Sequence, residues 1–139
     1  MGVKKWFFSG GSLAEDKIVE VESLFGFSLP DDYKKCVMEN DGGYPEPNTF
    51  DCDSGRIEAV FNDLISLTDE DLNIKMFSEF AIQKLIPFGR DPFGNLICFD
   101  YRQNKNEPTV IFYNHEEQNE SAIEPICNTF TELLNRLYY

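Results

Sequence analysis

A helix stop and a helix start stand four positions apart in this chain, at Gly26 and Pro30. Upstream, Ile18, Val21, Leu24 and Phe25 recur at helical spacing, while Glu15, Asp16, Glu20 and Glu22 fall on other faces. Glycine ends such a helix because it takes positive φ at no steric cost. Pro30 then opens a second helix where a missing N–H is not needed, and Asp31 and Asp32 sit at its positive end. Tyr33, Cys36 and Val37 form its apolar stripe, and Asn40-Asp41-Gly42-Gly43 stops it. With only Phe27-Ser28-Leu29 as connection, the two helices must fold back as a hairpin. Ser12-Leu13-Ala14-Glu15 reads as a capping box for the first of them.

The middle of the chain changes period. Thr49-Phe50 and residues 56–61 are short strand candidates around the turn-like Asp51-Cys52-Asp53-Ser54-Gly55. Thr68-Asp69-Glu70-Asp71 resembles another helix start, leading through Leu72, Met76 and Phe80. Residues 85–88 and 96–101 read as strands flanking a turn rich in Asp, Pro, Gly and Asn, and residues 109–113 as a third strand. Thr129-Phe130-Thr131-Glu132 is a second capping box, opening a last helix with Phe130, Leu133, Leu134 and Leu137 inward. Helices, then a strand meander, then a helix predict an α+β fold. Its core is a single twisted, mainly antiparallel sheet, with the N-terminal hairpin and the C-terminal helix packed around it.

Composition sets the function classes. At 139 residues, with no linker or repeat, residues 1–139 are expected to form a single domain. Thirteen Phe, six Tyr and one Trp supply enough apolar surface to offset ordering entropy, so disorder is excluded despite the charge. Lys and Arg number 12 against 25 Asp and Glu, a formal charge of -13. Such a surface repels nucleic-acid phosphates and anionic membranes, and favours either a basic partner or simply solubility. Residues 1–70 carry fifteen acids and six bases, residues 71–139 ten and six, so the first half is where an acidic face is expected. No signal peptide, myristoylation site or apolar run of membrane-spanning length stands out. Cys36, Cys52, Cys98 and Cys127 form no C-x-x-C, and two lie in apolar segments; they read as reduced thiols of a cytoplasmic protein.

Leu29-Pro30-Asp31-Asp32-Tyr33-Lys34 followed by Asn40-Asp41-Gly42-Gly43 resembles the signature of the SUKH superfamily, whose name-givers include a yeast cell-wall-assembly regulator. Gly26-Phe27-Ser28-Leu29-Pro30 supplies the family's turn. Residues 86–89, 94–100 and 110–116 are similar to its strand blocks, and residues 129–134 to its last-helix motif. The chain departs at one point: the commoner Asn-Gly-Gly has become Asn40-Asp41-Gly42-Gly43, one residue longer. The resemblance implies a non-enzymatic bacterial immunity protein, a small cytoplasmic binder that neutralises a cognate toxin. The acidity suits a basic toxin, such as a nuclease. Some relatives are instead regulatory or scaffolding interaction modules, which stands as the alternative.

Several residue groups invite chemistry. Asp51-x-Asp53-x-Gly55-x-x-Glu58 has a metal-like spacing, but glycine and glutamate stand at the wrong positions for an EF-hand loop, so a solvated turn is expected. One histidine and four scattered cysteines offer zinc no ligand pair. His115 stands near Asp100, Glu116 and Glu117, yet no nucleophile-elbow context accompanies it, and it reads as a satisfied, partly buried histidine. The glycine pairs lack the context of phosphate loops. No catalytic residue, metal or cofactor is therefore expected. Trp6-Phe7-Phe8 either clamps the N-terminus onto the core or anchors a partner. The candidate partner-binding residues are Asp41, Glu46, Asp51, Asp53 and Glu58, acids clustered among loops and strand ends, with Asp69, Glu70 and Asp71 as a second patch.

Overall fold

The helical hairpin forms where its punctuation stands. In a computed structural model that describes residues 2–139, α1 spans Glu15–Phe25 and α2 spans Asp31–Asn40. Gly26 adopts φ 84°, and its N–H donates to the Glu22 carbonyl at 2.8 Å. The Glu22 carboxylate accepts from the Leu29 N–H at 2.7 Å, and Tyr101 donates its hydroxyl proton to the Ser28 carbonyl at 2.7 Å. Phe27 stacks on the Tyr101 ring, centroids 4.4 Å apart. The turn is thus fastened both to its own helix and to the sheet. Two cap assignments differ from the sequence reading by small steps. Ala14, not Ser12, is the N-cap of α1 and makes no side-chain cap bond, while Pro30 is the N-cap of α2, one position outside the first turn.

A five-stranded antiparallel sheet carries these helices, in the order β5 (Asp63–Leu64), β6 (Leu85–Arg90), β7 (Leu96–Asp100), β8 (Thr109–Tyr113) and β9 (Ile123–Cys127). The strands divide further than the sequence implies. β1 (Lys5–Phe7) pairs with β2 (Tyr44–Glu46), and β3 (Thr49–Phe50) pairs with β4 (Ala59–Val60), as separate two-stranded ribbons. β9 escapes sequence reading because Glu124 and Pro125 break its apolar alternation, which an edge strand tolerates. Its outer edge is covered by the backbone N–H groups of Asp53 and Ser54, which donate to the Ile126 and Pro125 carbonyls, both at 3.0 Å. In β6 the register shifts between Pro87 and Gly89. A Cβ at Gly89 would lie 3.1 Å from the Phe61 ring, so glycine lets that ring pack on the strand.

The helix expected after Thr68 is a different object. Asp69 closes its own turn, accepting from the N–H groups of Asp71 and Leu72 at 2.9 Å. A 3-10 segment then spans Ile74–Gln83, with a kink at Phe77. Ile74, Phe77 and Phe80 are three residues apart, the period that a 3-10 helix brings onto one face, and Met76 is left exposed. The last helix, α3 (Phe130–Arg136), starts as expected: Thr129 Oγ1 accepts from the Glu132 N–H at 3.0 Å. The Glu132 side chain accepts in return from the Asn128 N–H at 3.3 Å.

The elements meet at four rings: Tyr33 of α2, Phe88 of β6, Phe99 of β7 and Phe130 of α3. All six pairs are in contact, from the Phe88–Phe99 stack at 4.2 Å to Phe99–Phe130 at 6.3 Å. Around them one buried cluster runs from Leu13 to Leu137. The cysteines are free, and burial pushes the thiols of Cys36 and Cys52 up to about 11 and that of Cys127 up to about 12. They serve as small apolar residues.

Truncating a ring of this cluster removes contacts to three elements at once. Phe130→Ala is expected to cost about 3–5 kcal/mol in urea denaturation. Tyr33→Phe is expected to stay within about 1 kcal/mol of the parent. The reason is that the Tyr33 hydroxyl, fully buried, makes no hydrogen bond among the described residues.

Candidate partner-binding site

The four-residue stop of α2 places a carboxylate where it organises three segments. Asp41, only 6% exposed, accepts from the Leu67 N–H at 2.8 Å, from Ser66 Oγ at 2.7 Å and from Thr68 Oγ1 at 3.3 Å. Its own carbonyl accepts from the Gly10 N–H at 2.7 Å. Ser66 Oγ passes the connection on, accepting from the N–H groups of Thr68 and Asp69 at 3.0 Å. Gly43 completes the stop, since a Cβ there would lie 2.9 Å from the Asn40 carbonyl oxygen. The residue by which the chain departs from the resembled Asn-Gly-Gly pattern is therefore the one that ties the N-terminal segment and the 66–69 loop to the end of α2.

Between those segments opens a groove of about 470 Å³. Asp41, Asp63 and Asp69 line it, together with Arg90, Phe8 and Tyr44. Arg90 is spent on Asp63, with Nε to Oδ1 at 3.1 Å and Nη2 to Oδ2 at 2.8 Å. That pairing holds the guanidinium above its usual range. Phe8 stands on the groove 85% exposed, with φ 56°, and its ring meets that of Tyr44 edge-on at 5.6 Å. Trp6, by contrast, is half-buried against the Phe61 ring at 6.2 Å. The N-terminal aromatic cluster thus splits into a clamp, Trp6, and a protruding ring, Phe8.

The candidate acids fall into groups with different partners. Asp41 and Asp69 share the groove, and Glu70 and Asp71 continue the same exposed loop. Glu46 is exposed on β2, opposite Lys5 in the β1–β2 register. Asp51, Asp53 and Glu58 belong to a separate loop fastened to the C-terminal end of the chain. Asp51 accepts from the Glu58 N–H at 2.9 Å and from the Tyr138 hydroxyl at 2.7 Å, and these bonds hold its carboxyl below the usual range. Asp53 is paired with Arg136 at 2.8 Å. The loop has no metal geometry, and among the described residues no three His, Cys, Asp or Glu come together as ligands. Close by, Arg56 forks onto Glu124 at 2.7 and 2.9 Å while its guanidinium lies 4.3 Å from the Phe112 ring centre, and that bond keeps the Glu124 carboxyl low.

His115 is exposed rather than partly buried. Its Nδ1 lies 2.7 Å from Asn95 Oδ1, which also accepts the His115 N–H at 3.0 Å. Nδ1 therefore carries the proton. Asn95 Nδ2 donates in turn to Asp91 at 2.7 Å, so the imidazole fastens the 91–95 turn. Sequence reasoning missed Tyr44, Asp63 and Arg90. The Asp63–Arg90 pair joins positions 27 residues apart through sheet register, and no local pattern announces it.

A helical hairpin and a C-terminal helix packed on an antiparallel sheet, with acidic loops around one groove, define a small α+β protein. A family model described as SMI1 / KNR4 family (SUKH-1) matches residues 12–136, and the chain belongs to that family. Its members are often immunity proteins and are generally non-enzymatic. No curated protein matches the chain. Among the described residues, no helix is long and apolar enough to cross a membrane.

The two roles of the groove acids separate by stability. Asp41→Ala leaves the Leu67 N–H and Ser66 Oγ without their acceptor and is expected to cost about 2–3 kcal/mol. Asp69→Ala, at an exposed turn, is expected to cost less than about 1 kcal/mol. Urea denaturation of both variants checks the contrast.

Proposed function

We propose that residues 1–139 form a single-domain, non-enzymatic immunity protein that binds and neutralises a cognate basic toxin, such as a nuclease, in the cytoplasm. The observation that carries this reading is the groove: three aspartates against one already paired arginine, with an 85% exposed phenylalanine at its edge. An exposed aromatic on the same groove as the exposed Asp69 carboxylate suits a partner that brings its own cation and an apolar contact. A nuclease must present a cationic surface to phosphates, and a carboxylate-lined protein can occupy that surface in their place. Long-range attraction speeds encounter, while contacts at the aromatic edge slow release.

Within this reading the candidate acids take different parts. Asp69, Glu70, Asp71 and Glu46 face the partner as exposed charge. Asp41 shapes the groove from beneath. Asp51, Asp53 and Glu58 contribute to the overall field, with Asp51 and Asp53 held by Tyr138 and Arg136.

The test is purification of the tagged full-length chain from its native host at low and high salt. The expected result is one stoichiometric basic protein, released by salt, toxic when expressed alone and harmless when co-expressed with this chain. Reversing Asp69, Glu70 and Asp71 to lysine is expected to slow association by about tenfold or more, with little change in dissociation. A set of housekeeping proteins held independently of salt would instead establish a regulatory or scaffolding module.

A further inference from the structure

The groove's lining has a chemistry more specific than its charge. Phe8 and Tyr44 set their rings at 89° to each other, 5.6 Å between centres, in the same groove as Asp69. Asp69 uses Oδ2 for the N–H groups of Asp71 and Leu72, and Oδ1 takes no hydrogen bond among the described residues. Two rings and an acceptor oxygen thus line one groove, and Arg90, the cation that lines it, is bound to Asp63.

The same protein shows what such a set accepts when it is filled. At the sheet, Arg56 places its guanidinium 4.3 Å from the Phe112 ring centre and forks onto Glu124 at 2.7 and 2.9 Å. One planar cation satisfies a ring and a carboxylate at once. A guanidinium stacks flat on a ring while an edge N–H donates to an acceptor, which the compact lysine ammonium does not do.

We infer that the Phe8–Tyr44–Asp69 corner receives an arginine side chain of the partner protein. This assignment rests on the groove being the partner-binding face, and it names the chemistry that the groove selects. The guanidinium stacks on Phe8 or Tyr44 and donates to Asp69. Phe8 is then the residue that discriminates arginine from other cations.

The test is a two-dimensional NMR titration of the full-length chain with N-acetyl-arginine-methylamide, alongside the matching citrulline and lysine compounds. The expected result is a saturable shift confined to Phe8, Tyr44 and residues 69–72, with an affinity of the order of millimolar. Citrulline, nearly isosteric but uncharged, is expected to bind at least about tenfold more weakly, and lysine measurably more weakly than arginine. Phe8→Leu keeps apolar bulk without a π face and is expected to weaken the arginine compound about threefold to fivefold, whereas Phe8→Trp restores it. Because Phe8 is exposed, neither substitution disturbs the core.

Shifts scattered over residues 51–58, an equal response to citrulline or lysine, or indifference to Phe8→Leu would overturn the assignment. If that happens while a toxic basic partner still co-purifies, the arginine corner falls and the immunity reading stands. A seated arginine with no toxic partner would keep the corner and remove the immunity reading.

Discussion

Tyr33, Phe88, Phe99 and Phe130 come from two helices and two strands, and each touches the other three. That mutual contact decides where everything else sits. It presses the second helix of the hairpin and the C-terminal helix onto the same region of the sheet. Asp32 reinforces it from outside, accepting from both the N–H and the hydroxyl of Thr131 at 2.9 and 2.8 Å. The hairpin turn is then pinned by Phe27 on Tyr101. Edge-on and offset ring pairs have preferred geometry as well as area, so the cluster orients the elements rather than merely gathering them.

Once α2 is placed, its end is placed too. The extra residue of Asn40-Asp41-Gly42-Gly43 lets Asp41 turn inward, and its carboxylate takes donors from three consecutive residues, 66–68. The loop that carries Asp69, Glu70 and Asp71 is therefore set by a buried bond to the helix, not by its own composition. The Gly10 N–H, bonded to the Asp41 carbonyl, brings the N-terminal segment and Phe8 to the same place. The buried core and the Asp41 carboxylate thus fix the loops on which the exposed acids stand.

The hairpin, the last helix, strands β6 to β8 and the α+β class were legible because each has local punctuation: Gly26, Pro30, the Thr129–Glu132 box, the Asp91–Asn95 turn. Elements set by tertiary contact were not. β1 and β2 are three residues each and exist through the placement of Trp6 on Phe61, while β9 breaks its alternation at Pro125. The 74–83 segment follows a three-residue period set by what it packs against, where the sequence also allowed an α-helix. At the groove, composition showed that acids were abundant in the first half. It could not show that Asp41 faces inward, that Asp53 is held by Arg136, or that Tyr44 joins Phe8. Those facts depend on which loops the sheet brings together.

Two acidic regions therefore compete for the role of partner face: the groove rim at residues 8–13 and 66–72, and the 51–58 loop beside the C-terminal helix. Hydrogen–deuterium exchange of the chain, alone and bound to the basic partner proposed above, separates them most directly. Added protection at 8–13 and 66–72, with exchange at 51–58 unchanged, is the result expected of the groove. Protection confined to 51–58 and the C-terminal helix, with the groove exchanging as in the free protein, would contradict it.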